Sequence, residues 1–220
     1  MNKNSPRYVL GYMTVLCAVF GTGVSVVHYS TRDMLAANER LHHNRVICDA
    51  YDLPVAGRAP ADYERAMQEH LEVAEADGQA TDRRVYRRRD DDSGWIGFPI
   101  SGMGFWDRIE GFITLDAERA RIMRLRFFDH SETPGLGGRI EEPEFLDQFD
   151  RLEIAWDAPE PERILIGAGP AREQPNRVDA ITGATRTSEA VIDFLNRELE
   201  RIRAIDIDAL EFRPMYESET

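Results

Sequence analysis

Asp179-Ala-Ile-Thr-Gly-Ala-Thr-Arg-Thr-Ser188, running on into Glu189-Ala-Val-Ile-Asp-Phe-Leu-Asn-Arg-Glu-Leu-Glu-Arg-Ile-Arg203, takes the chain from a short loop into its last long helix. Val191, Phe194, Leu195, Leu199 and Ile202 recur at helical spacing, so Thr187 to Arg203 predicts an amphipathic helix with Thr187 or Ser188 as its cap. Gly183 permits a tight turn ahead of the helix, and with Ala184 it leaves the Thr185 hydroxyl unobstructed. The first amides of a helix lack partners within it and its dipole favours negative charge, so an anion carried on Thr185 would meet donors. A sheet-to-helix turn also keeps that hydroxyl at the surface.

Upstream, the periodicity changes to short β-like runs. Trp95 to Ile100, Gly111 to Leu115 and Ile122 to Phe128 read as strands of an antiparallel sheet, with Ile122, Arg124 and Arg126 alternating against Met123, Leu125 and Phe127. Asp116 to Arg119 is a turn, Pro143 to Phe149 a short helix opened by proline, and Arg163 to Ile166 a last strand. A further helix is expected over Ala61 to Asp77, led by Pro60, striped by Tyr63, Met67, Leu71 and Ala74, and ended by Gly78. The basic run Arg83 to Arg89 is followed directly by Asp90-Asp-Asp92, so it reads as a solvated strand edge or turn, not a phosphate-binding patch.

Tyr8 to Tyr29 is 22 residues without Lys, Arg, Asp or Glu, long enough to span a bilayer and without a small-x-small cleavage site after it. Lys3 and Arg7 precede it, so the positive-inside tendency puts residues 1–7 in the cytoplasm and everything after the span outside. Residues 30–57 read as a stalk helix and linker that breaks near Pro54 and Gly57, residues 58–204 as the folded domain and residues 205–220 as a tail. With 40 acids against 27 bases and a net charge of -13, the chain is unsuited to nucleic acid or anionic lipid, which select basic surfaces. Cys17 lies in the apolar run and Cys48 beyond it, so no intrachain disulfide is expected. Adjacent His42 and His43 face different directions on a helix, and no haem, iron-sulfur or zinc spacing occurs, so no metal site is expected and a redox centre carried by this chain alone would be organic.

Two further blocks precede the Thr185 turn: Ile100-Ser-Gly-Met-Gly-Phe-Trp106 and His130-Ser-Glu-Thr-Pro-Gly-Leu-Gly-Gly-Arg-Ile140, the latter continuing to Pro143. Together with Asp179-x-x-Thr-Gly-Ala-Thr185, and in the same order, they resemble the FMN-binding subunit family of two membrane redox pumps. Its members are NqrC of the sodium-translocating NADH:quinone oxidoreductase (Nqr) and RnfG of the Rnf complex. The Gly-x-Gly-x-Trp and Glu-Thr-Pro-Gly-Leu-Gly-Gly blocks are closer to NqrC, whereas the interval between anchor and Gly-x-Gly block is shorter than in NqrC, leaving the choice of complex open. The resemblance runs over about residues 8 to 203.

The resemblance implies an α+β architecture: one N-terminal transmembrane helix, then an antiparallel-sheet FMN-binding domain flanked by helices. It implies FMN joined covalently through its phosphate to Thr185, with Asp179 aiding attachment and Thr182, Gly183 and Ala184 completing the turn. Glu132, Thr133, Gly135, Leu136 and Gly137 would wall the flavin, with Thr133 and Leu136 beside the ring and the backbone of Gly135 and Gly137 donating hydrogen bonds. Trp106 would join them, although packing on the sheet is the commoner fate for Phe105 and Trp106. His130 is read as surface or supporting. Thr182 and Thr187 are the fallback acceptors. Plainer readings exist for each block: a Thr-Gly-Ala-Thr helix cap, a Pro-Gly turn, and an Asp179 that caps its own backbone. The implied role is an electron-transfer subunit, incomplete as an enzyme alone, served by a flavin transferase that uses FAD and by integral-membrane partner subunits. A free-standing extracytoplasmic carrier, or an assembly module without flavin, are the alternatives.

Overall fold

The computed structural model describes residues 6–76, 83–89, 94–167 and 174–215. The chain divides into two compact units, Met1–His42 and His43–Thr220. The first is built on helix α1 (Pro6–Ala50), opened by a proline whose missing N–H would have had no helical partner anyway. Its uncharged stretch exposes Val9, Leu10, Val15, Val19, Phe20, Val24 and Val27, and it is long and apolar enough to cross a membrane. The Thr14 and Thr31 hydroxyls donate to the carbonyls of Leu10 and Val27, each at 2.9 Å, so they carry no unmet polar demand into an apolar medium.

The second unit is organised by an antiparallel sheet. Strands β1 (Leu71–Glu75), β2 (Arg84–Arg88), β3 (Ile96–Met103), β4 (Arg108–Leu115), β5 (Arg121–Asp129), β6 (Leu152–Glu153) and β9 (Arg213–Pro214) lie in the order β6-β5-β4-β3-β2-β1-β9. A separate parallel pair joins β7 (Leu165–Gly167) to β8 (Arg177–Asp179). Strand alternation sends neighbours to opposite faces: Val85 and Ile113 enter a core with Phe98, Leu125, Val191, Leu195 and Leu199, while Tyr86 and Phe112 enter another with Ile47, Tyr51 and Met67. Helix α4 (Thr185–Arg203) supplies the first face and α2 (Pro60–His70), with the last turns of α1, the second. Gly102 lets α4 rest directly on β3, since a Cβ there would enter the Phe194 side chain. Phe194 is 1% exposed, a burial that contributes about 1.5–3 kcal/mol.

Several sequence expectations are corrected here. The helix begun at Pro60 stops at His70, and Leu71–Glu75 is a strand paired along its whole length with Arg84–Arg88. Leu71 and Ala74 are both buried, as the helical stripe asks, but three positions apart on a strand they point to opposite faces of a sheet covered on both sides; Asp77 and Gly78 lie outside the described residues. The basic run is not a sheet edge, because β2 lies between β1 and β3. Its charge is met by carboxylates: Arg83 by Glu198, Arg84 by Glu75, and Arg87 by Glu72. The simple alternation expected over β5 fails at Ile122, which is buried with Leu125 and Phe127 because a register shift between Thr114 and Leu115 inserts one residue. The strand at Arg163 to Ile166 is not the last, since β8 and β9 follow. Residues read as a tail include buried Ile205, and Ile207, Leu210 and Phe212 pack on the larger core before β9 pairs with β1.

Candidate functional site

Helix α4 begins at Thr185, preceded by Ala184, and no side chain caps it. Thr187 and Ser188, the expected caps, turn inward instead: the Ser188 hydroxyl donates to the Ala184 carbonyl at 3.0 Å and accepts the Ile181 N–H at 3.0 Å. The helix is thus tied to its own preceding turn, where Gly183 takes a positive φ of 83° that a side chain would resist. Thr185 is left exposed at the first helical position.

Glu132 is the organising residue opposite. It is 4% exposed, and its carboxylate accepts three hydrogen bonds. The N–H groups of Phe105 and Trp106 donate to Oε1 at 2.7 and 3.1 Å, and the Thr187 hydroxyl donates to Oε2 at 2.8 Å. One side chain therefore fastens the β3–β4 connection to the start of α4, and the donors satisfy a charge that burial would otherwise penalise. Glycine is required around it: a Cβ on Gly104 would lie 2.5 Å from Oε1, and one on Gly137 would lie 2.5 Å from Oε2 and 2.7 Å from the Thr187 hydroxyl. His130 accepts the Glu132 N–H at Nδ1, which places its own proton on Nε2, 3.4 Å from Glu141. It supports the turn from a half-buried position.

These segments enclose a cavity of about 400 Å³, lined by Phe105, Trp106, Glu132, Thr133, Leu136, Gly137, Gly183, Ala184, Thr185, Arg186 and Thr187. Its size suits an organic cofactor. Phe105, Trp106 and Leu136 are 46%, 64% and 47% exposed, so of the two fates open to the aromatics they present apolar faces at this cavity and do not pack on the sheet. The two rings meet edge to face with centroids 4.9 Å apart.

The structure thus gathers Trp106, Glu132, Thr133, Leu136, Gly137, Gly183, Ala184 and Thr185 about one space. It divides the rest of the predicted set. Asp179 and Thr182 line a second, smaller cavity of about 180 Å³ with Arg139, Glu142, Glu144 and Gln148. There the Asp179 N–H donates to Gln148 Oε1 at 2.6 Å, while one carboxylate oxygen of Asp179 is buried without a partner among the described residues. Glu142 beside Arg139 raises the guanidinium's already high pKa. Gly135 is an exposed turn glycine with φ 74°, and it does not line the larger cavity. Arg186 is the lining residue that the sequence reading does not assign; that reading leaves Phe105 between ring and sheet, and names Thr187 only as a cap and a fallback acceptor. Adjacency of Arg186 to Thr185 is the available signal. Among the described residues, no group of three or more His, Cys, Asp or Glu side chains is placed to hold a metal.

Comparison with known proteins bears on the same region. Residues 104–200 match the FMN-binding domain family. The chain is similar to the C subunit of the Na(+)-translocating NADH-quinone reductase of Yersinia pestis, 37% identical over 99 residues that cover 44% of this chain and 37% of that protein. The namesake from Vibrio alginolyticus is 29% identical over 136 residues, 60% of this chain and 53% of the relative. The match therefore spans between about a third and about half the length of these curated relatives. In fold the chain resembles the crystal structure of Shewanella oneidensis NqrC, with a TM-score of 0.59 and 19% identity over 74% of this chain and 99% of that one. It also resembles the corresponding subunit from Parabacteroides distasonis, with a TM-score of 0.64 and 22% identity over 79% and 96%. The resemblance to NqrC and the α+β architecture read from the motifs both agree with these matches, and the relatives are subunits of an oxidoreductase complex, not complete enzymes.

Proposed function

We propose that this chain is a membrane-anchored electron-transfer subunit of an Nqr-like redox complex, carrying FMN as a phosphoester on Thr185. The observation that carries the proposal is the exposed Thr185 hydroxyl at the first position of α4, opening on a cavity of about 400 Å³ faced by Phe105, Trp106 and Leu136. The residues fit the group: apolar surfaces can cover an isoalloxazine, and the unbonded amides of the first helical turn can meet the phosphate. Thr187 is unsuited as acceptor because its hydroxyl is buried and committed to Glu132, and Thr182 faces the other cavity.

When bound, FMN supplies one- and two-electron redox chemistry that no amino acid here can provide. Thr185 would hold the group, its hydroxyl oxygen forming the ester to the FMN phosphate that a transferase would deliver from FAD with release of AMP. Glu132 holds the backbone of the two aromatic residues and the start of α4 through one carboxylate, which would fix the walls between which the flavin lies. Lys3 and Arg7 ahead of the apolar span favour a cytoplasmic N-terminus and an extracytoplasmic domain, where a tethered FMN is not lost. Integral-membrane subunits would be its electron partners and a FAD-using flavin transferase its modifying enzyme.

Co-expression with such a transferase, followed by mass analysis of tryptic peptides, tests this reading. The peptide containing Thr185 should gain the mass of FMN less water, and the denatured protein should fluoresce in a gel. A bare peptide from such material would overturn the proposal. Purification in mild detergent then separates a stoichiometric complex with multi-span subunits from a free-standing carrier.

A further inference from the structure

Two charged side chains line the larger cavity, Glu132 and Arg186, and their situations differ. Glu132 is buried and its oxygens are taken by three donors of the protein itself. Arg186 is exposed, and among the described residues it has no carboxylate partner; its guanidinium carbon lies 5.7 Å from the centroid of the Phe105 ring. A lone cation at this wall runs against the character of a chain with a net charge of -13.

The phosphate does not require it. Ser188 is the residue of α4 whose N–H returns to Ala184, at 3.0 Å, so the amides of Thr185, Arg186 and Thr187 precede the helical ladder and remain for an anion on the Thr185 oxygen. The Arg186 charge leans instead toward Phe105, on the aromatic side of the cavity. A flavin ring is neutral when oxidised. On taking two electrons and one proton it carries a single negative charge.

Resting on the flavin reading above, we infer that Arg186 sets the redox equilibrium of the bound flavin by pairing with the negative charge its ring gains on reduction. The cation favours the reduced form over the neutral oxidised one, so removing it disfavours reduction without removing the attachment point. An exposed pair of this kind is modest and screened by salt.

The test uses the full-length chain in detergent, flavinylated by co-expression, with dithionite supplying electrons and a dye of known potential as reference. In low salt, R186L should show a reduced-to-oxidised ratio about fivefold below wild type at the same dye ratio, and high salt should narrow the gap. R186K should stay near wild type and R186Q should follow R186L, which keeps the inference testable if R186L takes no flavin. Equal ratios in wild type, R186L and R186Q overturn it and leave Arg186 as packing for Phe105. Wild-type protein lacking the FMN mass overturns the underlying reading as well, and this is seen before any titration.

Discussion

The Thr187 hydroxyl donates to Oε2 of Glu132 at 2.8 Å, joining the first turn of α4 to a turn 55 residues earlier in the chain. The same carboxylate holds the amides of Phe105 and Trp106, so three segments distant in sequence share one acceptor. Glu132→Ala should therefore cost about 1–3 kcal/mol in urea unfolding, because it strands donors as well as deleting bonds. Thr187→Val removes one donor and should cost about 1 kcal/mol. Glu132→Gln keeps an acceptor for both amides and should fall between Glu132→Ala and wild type. If Glu132→Ala unfolds within about 0.5 kcal/mol of wild type, the fastening role is refuted.

Two glycines of the site separate crowding from backbone strain. Gly137→Ala places a Cβ 2.5 Å from Glu132 Oε2 and should cost about 1–3 kcal/mol while loosening the grip on Thr187. Gly183→Ala meets little but Leu136, at 3.5 Å, so its cost should be the positive-φ strain of about 1–2 kcal/mol. Protease susceptibility of the Phe105–Trp106 connection should rise in Gly137→Ala and not in Gly183→Ala. The reverse ranking would show that Gly137 is not constrained by the carboxylate.

Among the hydroxyls near the site, attachment should depend on Thr185 alone. Thr185→Val should abolish the FMN mass increment with a change in stability under about 0.5 kcal/mol, since the side chain is exposed. Thr133→Val, on the same cavity, and Thr182→Val, on the other, should keep the increment. Intact-protein mass spectrometry decides the matter, and a labelled Thr185→Val variant would move the acceptor elsewhere.

Alkaline pH should unfold the second unit for a reason found on the other face of the sheet. Burial, with Asp49 adding to it, pushes the Cys48 thiol up to about 12 from its usual 9.0, and burial likewise raises Tyr51 well above 10.0. The Tyr51 hydroxyl donates to the Tyr86 carbonyl at 2.9 Å, a bond only the protonated form makes. Above about pH 9 the folded protein holds protons that the unfolded chain has released, so stability is fully present below that pH and declines as pH rises toward about 12. Melting temperature against pH should fall over this window, and less steeply in Cys48→Ala. A flat profile from pH 9 to 11 would contradict the assignment.

Much of this protein was legible in its residues. The uncharged stretch from Tyr8 to Tyr29, the strands β3 to β5, the proline-opened α3 (Pro143–Leu146) and the stripe of α4 each declare themselves through local periodicity. What escaped was decided by pairing. β1 read as helix because Leu71 and Ala74 are apolar at helical spacing, which a strand buried on both faces also allows, and the two-residue strands β6 and β9 are too short to carry a pattern.

The sequence by itself determined a long apolar helix, an acidic sheet-bearing domain and a threonine placed where a glycine turn meets a helix, because backbone sterics, hydrophobic period and helix-end polarity act over a few residues. Only the tertiary structure decided that Glu132 serves the protein's own amides, that Asp179 and Thr182 face a different cavity from Thr185, and that Arg186 lies against Phe105. Each of those depends on segments tens of residues apart being brought within hydrogen-bonding or van der Waals range, and only the packing of α4 across β3 sets that separation.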